Sequence, residues 1–165
     1  MDFDYQLYKL TSKFMSDYPV SIYPEILSKP DRPHYCILID THCDYFICVP
    51  FRSNIGHNNA YLFKGTKRSK RSRSGLDYSK IAIIKDGDYL DDNAVVVDQD
   101  EYVEAVKNAK TIVKDATEYV DTYIAHINGT TPLHPKDYDR KYKFSTLKYF
   151  HDILSLENKI DSEEI

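Results

Sequence analysis

Residues 34–51 read HYCILIDTHCDYFICVPF. Two apolar runs, His34 to Asp40 and Tyr45 to Phe51, flank the polar break Thr41-His42-Cys43-Asp44. Both runs are rich in β-branched and aromatic residues, so the pattern predicts a β-hairpin. Their apolarity is continuous rather than alternating, which implies strands covered on both faces. Further along, Ala60-Tyr61-Leu62-Phe63, Lys80 to Lys85 and Ala94 to Val97 read as short strands. Gly56 and Asp86-Gly87-Asp88 supply turn signals between them.

Outside this β-rich centre the periodicity changes. Tyr5, Leu7, Tyr8, Leu10, Phe14 and Met15 are spaced for an amphipathic helix over residues 3–17, ending before Pro19. Pro19, Pro24, Pro30 and Pro33 make residues 18–33 a connector, with one possible helical turn at Glu25-Ile26-Leu27. Asp98 followed by Glu101 fits a capping box, and an apolar stripe from Tyr102 to Ile127 predicts one long helix over 99–128. Asn128-Gly129 is a suitable stop. A final helix is expected over 138–156, followed by a charged tail, 157–165, that frays. There is no βαβ alternation. The expected fold is therefore one α+β domain over 1–165, with a small twisted antiparallel sheet or partly closed barrel packed by helices.

The chain has 165 residues, enough for a real core, and a net charge of −4. Lys64, Lys67, Arg68, Lys70, Arg71 and Arg73 are six of its 22 basic residues, leaving 16 against 26 acidic ones elsewhere. An acidic body with one cationic segment points to local anion binding. Residues 64–75, KGTKRSKRSRSG, carry no apolar side chain and read as a mobile basic surface loop. Tyr61 and Tyr78 flank it as possible stacking platforms, and Lys80 adds a further cation for an RNA backbone. A solvated loop or a nuclear-type address fits the same residues.

Where the hairpin ends, the sequence runs Pro50-Phe51-Arg52-Ser53-Asn54-Ile55-Gly56-His57. RNA cleavage without metal requires a base for the 2′-hydroxyl, charge stabilisation of the phosphorane and an acid for the 5′-oxygen. His57 suits proton transfer, Arg52 a phosphate clamp, and Ser53 and Asn54 hydrogen bonds to phosphate oxygens. Read alone, Arg-Ser-Asn suits a turn equally well, and His57 a loop hydrogen bond. Other chemistries find little support. Asp86, Asp88, Asp91 and Asp92 lack EF-hand spacing, with Val97 at the twelfth position. His126, His134 and His151 are scattered. Cys36, Cys43 and Cys48 form no zinc pattern with His42 and read as buried, reduced, cytoplasmic thiols. No apolar run is long enough for a membrane. Neither cofactor nor metal is required by any motif.

In these residues the chain resembles the toxins of type III toxin–antitoxin and abortive-infection systems, the ToxN/CptN/TenpN-like endoribonucleases. The similar features, in order, are Asp31-Arg32-Pro33, PFRSNIGH, GLDYSKIAII and KYKFSTLKYFHDIL, closest to the CptN/TenpN branch. The resemblance implies a barrel-like sheet related to the MazF/Kid-type toxin fold. It implies metal-independent cleavage of cellular or phage RNA, leaving 2′,3′-cyclic phosphate. It also implies inhibition by a small repeated, often pseudoknotted antitoxin RNA, which the toxin cuts from a precursor and holds in a closed alternating assembly. The family's active-site serine falls on Ser53, a cationic residue before the first strand on Arg32, and the loop histidine on His57. Arg52 and Asn54 stand where better-known members carry Thr and Pro, and a nearby lysine is missing. Arg52, Lys64 or His57 would then supply the lost charge. A non-catalytic RNA-binding module shares the basic loop. A DNA-binding regulator is disfavoured by the lack of a helix-turn-helix pattern.

Overall fold

A computed structural model describes residues 2–26, 35–93 and 96–156. The hairpin is present. β2 (Tyr35–Cys43) and β3 (Tyr45–Arg52) pair antiparallel from Cys36↔Pro50 to Cys43↔Tyr45. Asp44 alone connects the strands, and a bulge before it holds His42 at φ 56, with the Asp40 carboxylate accepting from the His42 N–H at 2.8 Å. Successive residues Ile37-Leu38-Ile39 and Ile47-Cys48-Val49 are all buried, so both faces of the hairpin are covered.

The far edge of β3 is divided between two strands. Phe46 to Cys48 pair with β6 (Ala82–Ile84), whereas Phe51 and Arg52 pair with β5 (Gly75–Asp77). Between β5 and β6 the chain steps away as one 3₁₀ turn, Tyr78–Lys80. β4 (Ala60–Leu62) extends the sheet beyond β5, and β7 (Leu90–Asp91) closes its other end against β1 (Asp2–Leu10). The order β4-β5-β3-β2-β1-β7 makes an open antiparallel sheet among the described residues rather than a closed barrel. The α+β class stands.

Several elements differ from the sequence reading. The expected helix over 3–17 is β1 (Asp2–Leu10), followed by a short α1 (Ser12–Asp17). β1 pairs with β2 through a bulge between Asp4 and Leu7. The bulge interrupts two-residue alternation and leaves an apolar spacing that mimics a helix. The expected helix over 99–128 is two helices, α2 (Gln99–Lys107) and α3 (Ala109–Ile127), broken at Asn108. The Asn108 amide donates to the Glu104 carbonyl at 2.8 Å, a local bond that competes with helix propagation. The capping box does not form. Asp98 makes no cap bond and its carboxylate turns to Arg68.

The expected helix over 138–156 is α4 (Pro135–Tyr142) and a separate 3₁₀ helix, Thr146–Phe150, capped by Ser145. Residues 96–98 have no regular structure, while Ala94 and Val95 of the expected strand lie outside the described residues. Leu27 to Pro33 of the connector and the tail 157–165 also lie outside them. α3 packs Ile112, Ala116, Tyr119, Val120 and Tyr123 into the core. Tyrosine hydroxyls tie α3 to α4: Tyr119 of α3 donates to the Lys141 carbonyl at 2.8 Å, and Tyr142 of α4 to the Tyr119 carbonyl at 2.7 Å.

The cysteine reading is also revised. Cys36 and Cys48 form a buried disulfide between β2 and β3 rather than remaining reduced. Cys36 faces Pro50 and Cys48 faces Leu38, so the pair is diagonal, with 6.0 Å between Cα atoms. Cys43 is exposed in the turn. No described helix is long and apolar enough to cross a membrane.

Gly75 lies opposite Arg52 where β5 is pressed between β3 and β4. A Cβ there would stand 1.9 Å from the Tyr61 carbonyl oxygen, a backbone atom with nowhere to go. Gly75→Ala should cost about 3 kcal/mol in urea unfolding. Gly56→Ala, with nothing within 4 Å of its Cβ, should fall within about 0.5 kcal/mol of the parent.

Candidate functional site

The polar residues after β3 converge on a group that the sequence reading did not single out. Asp77 ends β5, and its carboxylate is buried, with its side chain 2% exposed. It caps the following 3₁₀ turn, accepting from the Ser79 N–H at 2.9 Å and the Ser79 hydroxyl at 2.6 Å. Arg52 reaches its other oxygen at 3.5 Å, and His57 Nε2 lies 3.2 Å from the first. Burial without such partners would cost several kcal/mol. The charge on Asp77 thus holds β3, the 53–59 loop and the 78–80 turn together.

Lys80 completes the cluster. Its ammonium donates to the Phe144 carbonyl at 2.8 Å. Burial pulls its pKa below the ordinary lysine value; Asp77 opposes that shift and Arg52 reinforces it. Arg52 makes a single long contact to Asp77 among the described residues, so most of its fixed fork of donors is unused. Ser53 follows it directly, half-buried and without a hydrogen bond among the described residues. Two cations around one carboxylate leave the cluster net positive before His57 is counted.

The orientation of His57 separates chemistries. Nδ1 accepts from the Asn59 backbone N–H at 3.0 Å, so in the neutral ring the proton sits on Nε2. Nε2 faces both Asp77 at 3.2 Å and the Ser79 hydroxyl at 3.1 Å. In a Ser-His-Asp triad the carboxylate and the serine face opposite ring nitrogens. Here they share one, and Ser79 is buried with its proton directed to Asp77. The arrangement does not activate Ser79 as a nucleophile. No group of three or more His, Cys, Asp or Glu among the described residues is arranged to hold a metal ion.

The chain matches no family model, no curated protein and no solved structure.

The cationic loop is more ordered than its composition implies. Glu104 of α2 accepts from the backbone N–H groups of Lys64 and Gly65 at 2.9–3.1 Å, and from the Tyr61 hydroxyl at 3.1 Å. Asp100 accepts from the Lys67 N–H at 2.8 Å. Arg68 pairs with Asp98 at 3.2 Å and lies 3.9 Å from the buried Glu101, whose own pKa burial raises. A 3₁₀ turn, Arg68–Lys70, follows. The acidic start of α2 therefore shapes the loop by accepting from its backbone. The mobile loop of the sequence reading is replaced by a pinned one.

Not every expected contact residue is free to act. Arg73 bonds the Ile55 and His57 carbonyls and the Asn58 side chain at 2.8–2.9 Å, bracing the 53–59 loop. Tyr78 is 5% exposed and packs on Tyr119, so it is core and not a stacking platform. Tyr61 is half-buried, and burial together with Glu104 raises its pKa to about 12. Asn54 is an exposed left-handed turn residue at φ 56. Lys64, Lys67, Lys70 and Arg71 are exposed, and their side chains form no ion pair among the described residues. Arg32 lies outside the described residues.

Asp77-Tyr-Ser79 carried a local signal, since an aspartate two residues before a serine is a capping pattern. Nothing local announces Glu104, which acts on a loop 40 residues away. Asp77→Ala would remove the one buried acceptor that Arg52, His57 and Ser79 share. It should lower stability by about 3 kcal/mol in urea unfolding. Asp88→Asn, whose side chain is 80% exposed, should change little.

Proposed function

We propose that this chain is a metal-independent endoribonuclease toxin of a type III toxin–antitoxin system. The observation that carries the reading is the net-positive cluster of Arg52, Lys80 and His57 fixed around buried Asp77, with Ser53 unbonded at the strand end. The exposed Lys64, Lys67, Lys70 and Arg71 support it, since Glu104 and Asp100 hold their loop by its backbone and leave these charges available to an anionic chain. The resemblance of PFRSNIGH and GLDYSKIAII to the ToxN/CptN/TenpN-like toxins adds the substrate class. On this reading the open sheet is a variant of the MazF/Kid-like fold.

In the proposed reaction the RNA supplies its own nucleophile. The 2′-oxygen forms a bond to phosphorus and the bond from phosphorus to the 5′-oxygen breaks. One proton leaves the 2′-hydroxyl and one reaches the 5′-oxygen, giving a 2′,3′-cyclic phosphate and a 5′-hydroxyl. Arg52 and Ser53, with Arg32, would donate to the non-bridging oxygens as charge develops there. Proton transfer falls to His57 through Nε2, or to Lys80, whose lowered pKa brings it nearer neutrality. The substrate is cellular or phage RNA in the cytoplasm. The partner is a small repeated, pseudoknot-like antitoxin RNA that the protein processes and that neutralises it in a closed alternating assembly.

A second reading has one specific observation behind it. Both ring nitrogens of His57 are engaged within the protein, as suits a structural histidine in a non-catalytic RNA-binding module. Purified protein incubated with RNA in EDTA separates the two. The enzyme should produce new ends bearing cyclic phosphate, and Ser53→Ala should slow this about a hundredfold. RNA left intact but bound with a steep salt dependence would support the module instead.

A further inference from the structure

Phe144 is the one exposed aromatic among the described side chains, 65% accessible to solvent. Its backbone is anchored on both sides. Tyr142, Ser145, Thr146 and Leu147 around it are all buried. The Ser145 N–H donates to the Tyr142 carbonyl at 3.0 Å. The Thr146 hydroxyl donates to the Ile81 carbonyl at 2.5 Å, fixing the turn to the segment that follows Lys80. The Phe144 carbonyl itself accepts from Lys80 Nζ at 2.8 Å. Lys143 Nζ lies 5.5 Å from the ring centroid. An apolar ring is thus exposed to water on a residue whose backbone carbonyl holds Lys80, and Lys80 in turn feels the charges of Arg52 and Asp77.

We propose that Phe144 is the stacking platform for a nucleobase of single-stranded RNA, next to the phosphate held by Arg52 and Lys80. This rests on the proposed function for its ligand class. A base offers a π-face to the ring, and its phosphates are drawn to the surrounding cations, which is how single strands are gripped without sequence readout. A phosphate-binding cluster alone would hold only the backbone. The ring adds a contact that a phosphate polymer without bases cannot make. Phe144 takes the place that the sequence reading gave to Tyr78, which is buried.

The chain contains 15 Tyr but no Trp, so Phe144→Trp installs a single tryptophan at the platform, which red-edge excitation reads apart from the tyrosines. Titration with a single-stranded oligoribonucleotide should quench its emission. An abasic ribose-phosphate polymer of equal length should leave it unquenched. Phe144→Ala should weaken RNA binding by roughly tenfold while leaving the salt slope unchanged, because one stack is lost and no phosphate contact is. RNA binding to Phe144→Trp without quenching, or undiminished binding by Phe144→Ala, would overturn the proposal. If the parent leaves RNA uncut in EDTA yet the quenching and the tenfold loss persist, the platform stands and the nuclease reading falls. A parent that binds no RNA overturns both.

Discussion

The site depends on one buried charge. The Asp77 carboxylate is withdrawn from water where β3 exchanges one edge partner for another. A lone carboxylate in that position is prohibitively costly, so its surroundings are constrained to supply donors. Ser79 supplies two, Arg52 and His57 the remainder. Each donor comes from a different local segment, and satisfying the carboxylate sets their mutual geometry. Preorganisation of this kind is what electrostatic catalysis requires, since donors fixed during folding need not reorganise when charge appears on a substrate. Lys80 is placed by the same turn, and burial rather than pairing sets its proton affinity.

A second constraint is the use of acid to shape base. The chain's excess of carboxylates is not simply a solvated surface. Glu104 and Asp100 accept from backbone amides of the cationic loop, so they order it without neutralising Lys64, Lys67, Lys70 or Arg71. Arg68 is the exception, paired with Asp98. Net charge thus says little about the partner here, and the distribution of unpaired side chains says more.

The parts of the fold legible in sequence were those set by local pattern. Continuous apolarity at Tyr35 to Phe51 predicted a doubly covered hairpin, and its residues are buried in succession. The N-terminal segment misled because a bulge in β1 imitates helical spacing. The long helix misled because the apolar stripe continues across Asn108, where the backbone does not. In the site, Arg52, Ser53 and His57 were visible as polar residues at a strand end. Asp77 was legible only as a cap for Ser79, because its hold on Arg52 and His57 comes from burial and pairing across the sheet, which no local pattern records. Tyr78 misled, and Phe144 was passed over, for the same reason: aromatic character is written in the sequence, but which ring faces water is decided by packing against Tyr119 and by the turn after α4.

The central claim is that the cluster acts on RNA whose own 2′-hydroxyl is the nucleophile. The most direct test takes a mapped cut site and replaces that single hydroxyl by hydrogen, leaving the rest of the RNA unchanged. The account predicts that the protein still binds the strand with nearly unchanged affinity but no longer cuts at that bond. Cleavage persisting at the 2′-deoxy position would mean that water or a protein group is the nucleophile, and would contradict it.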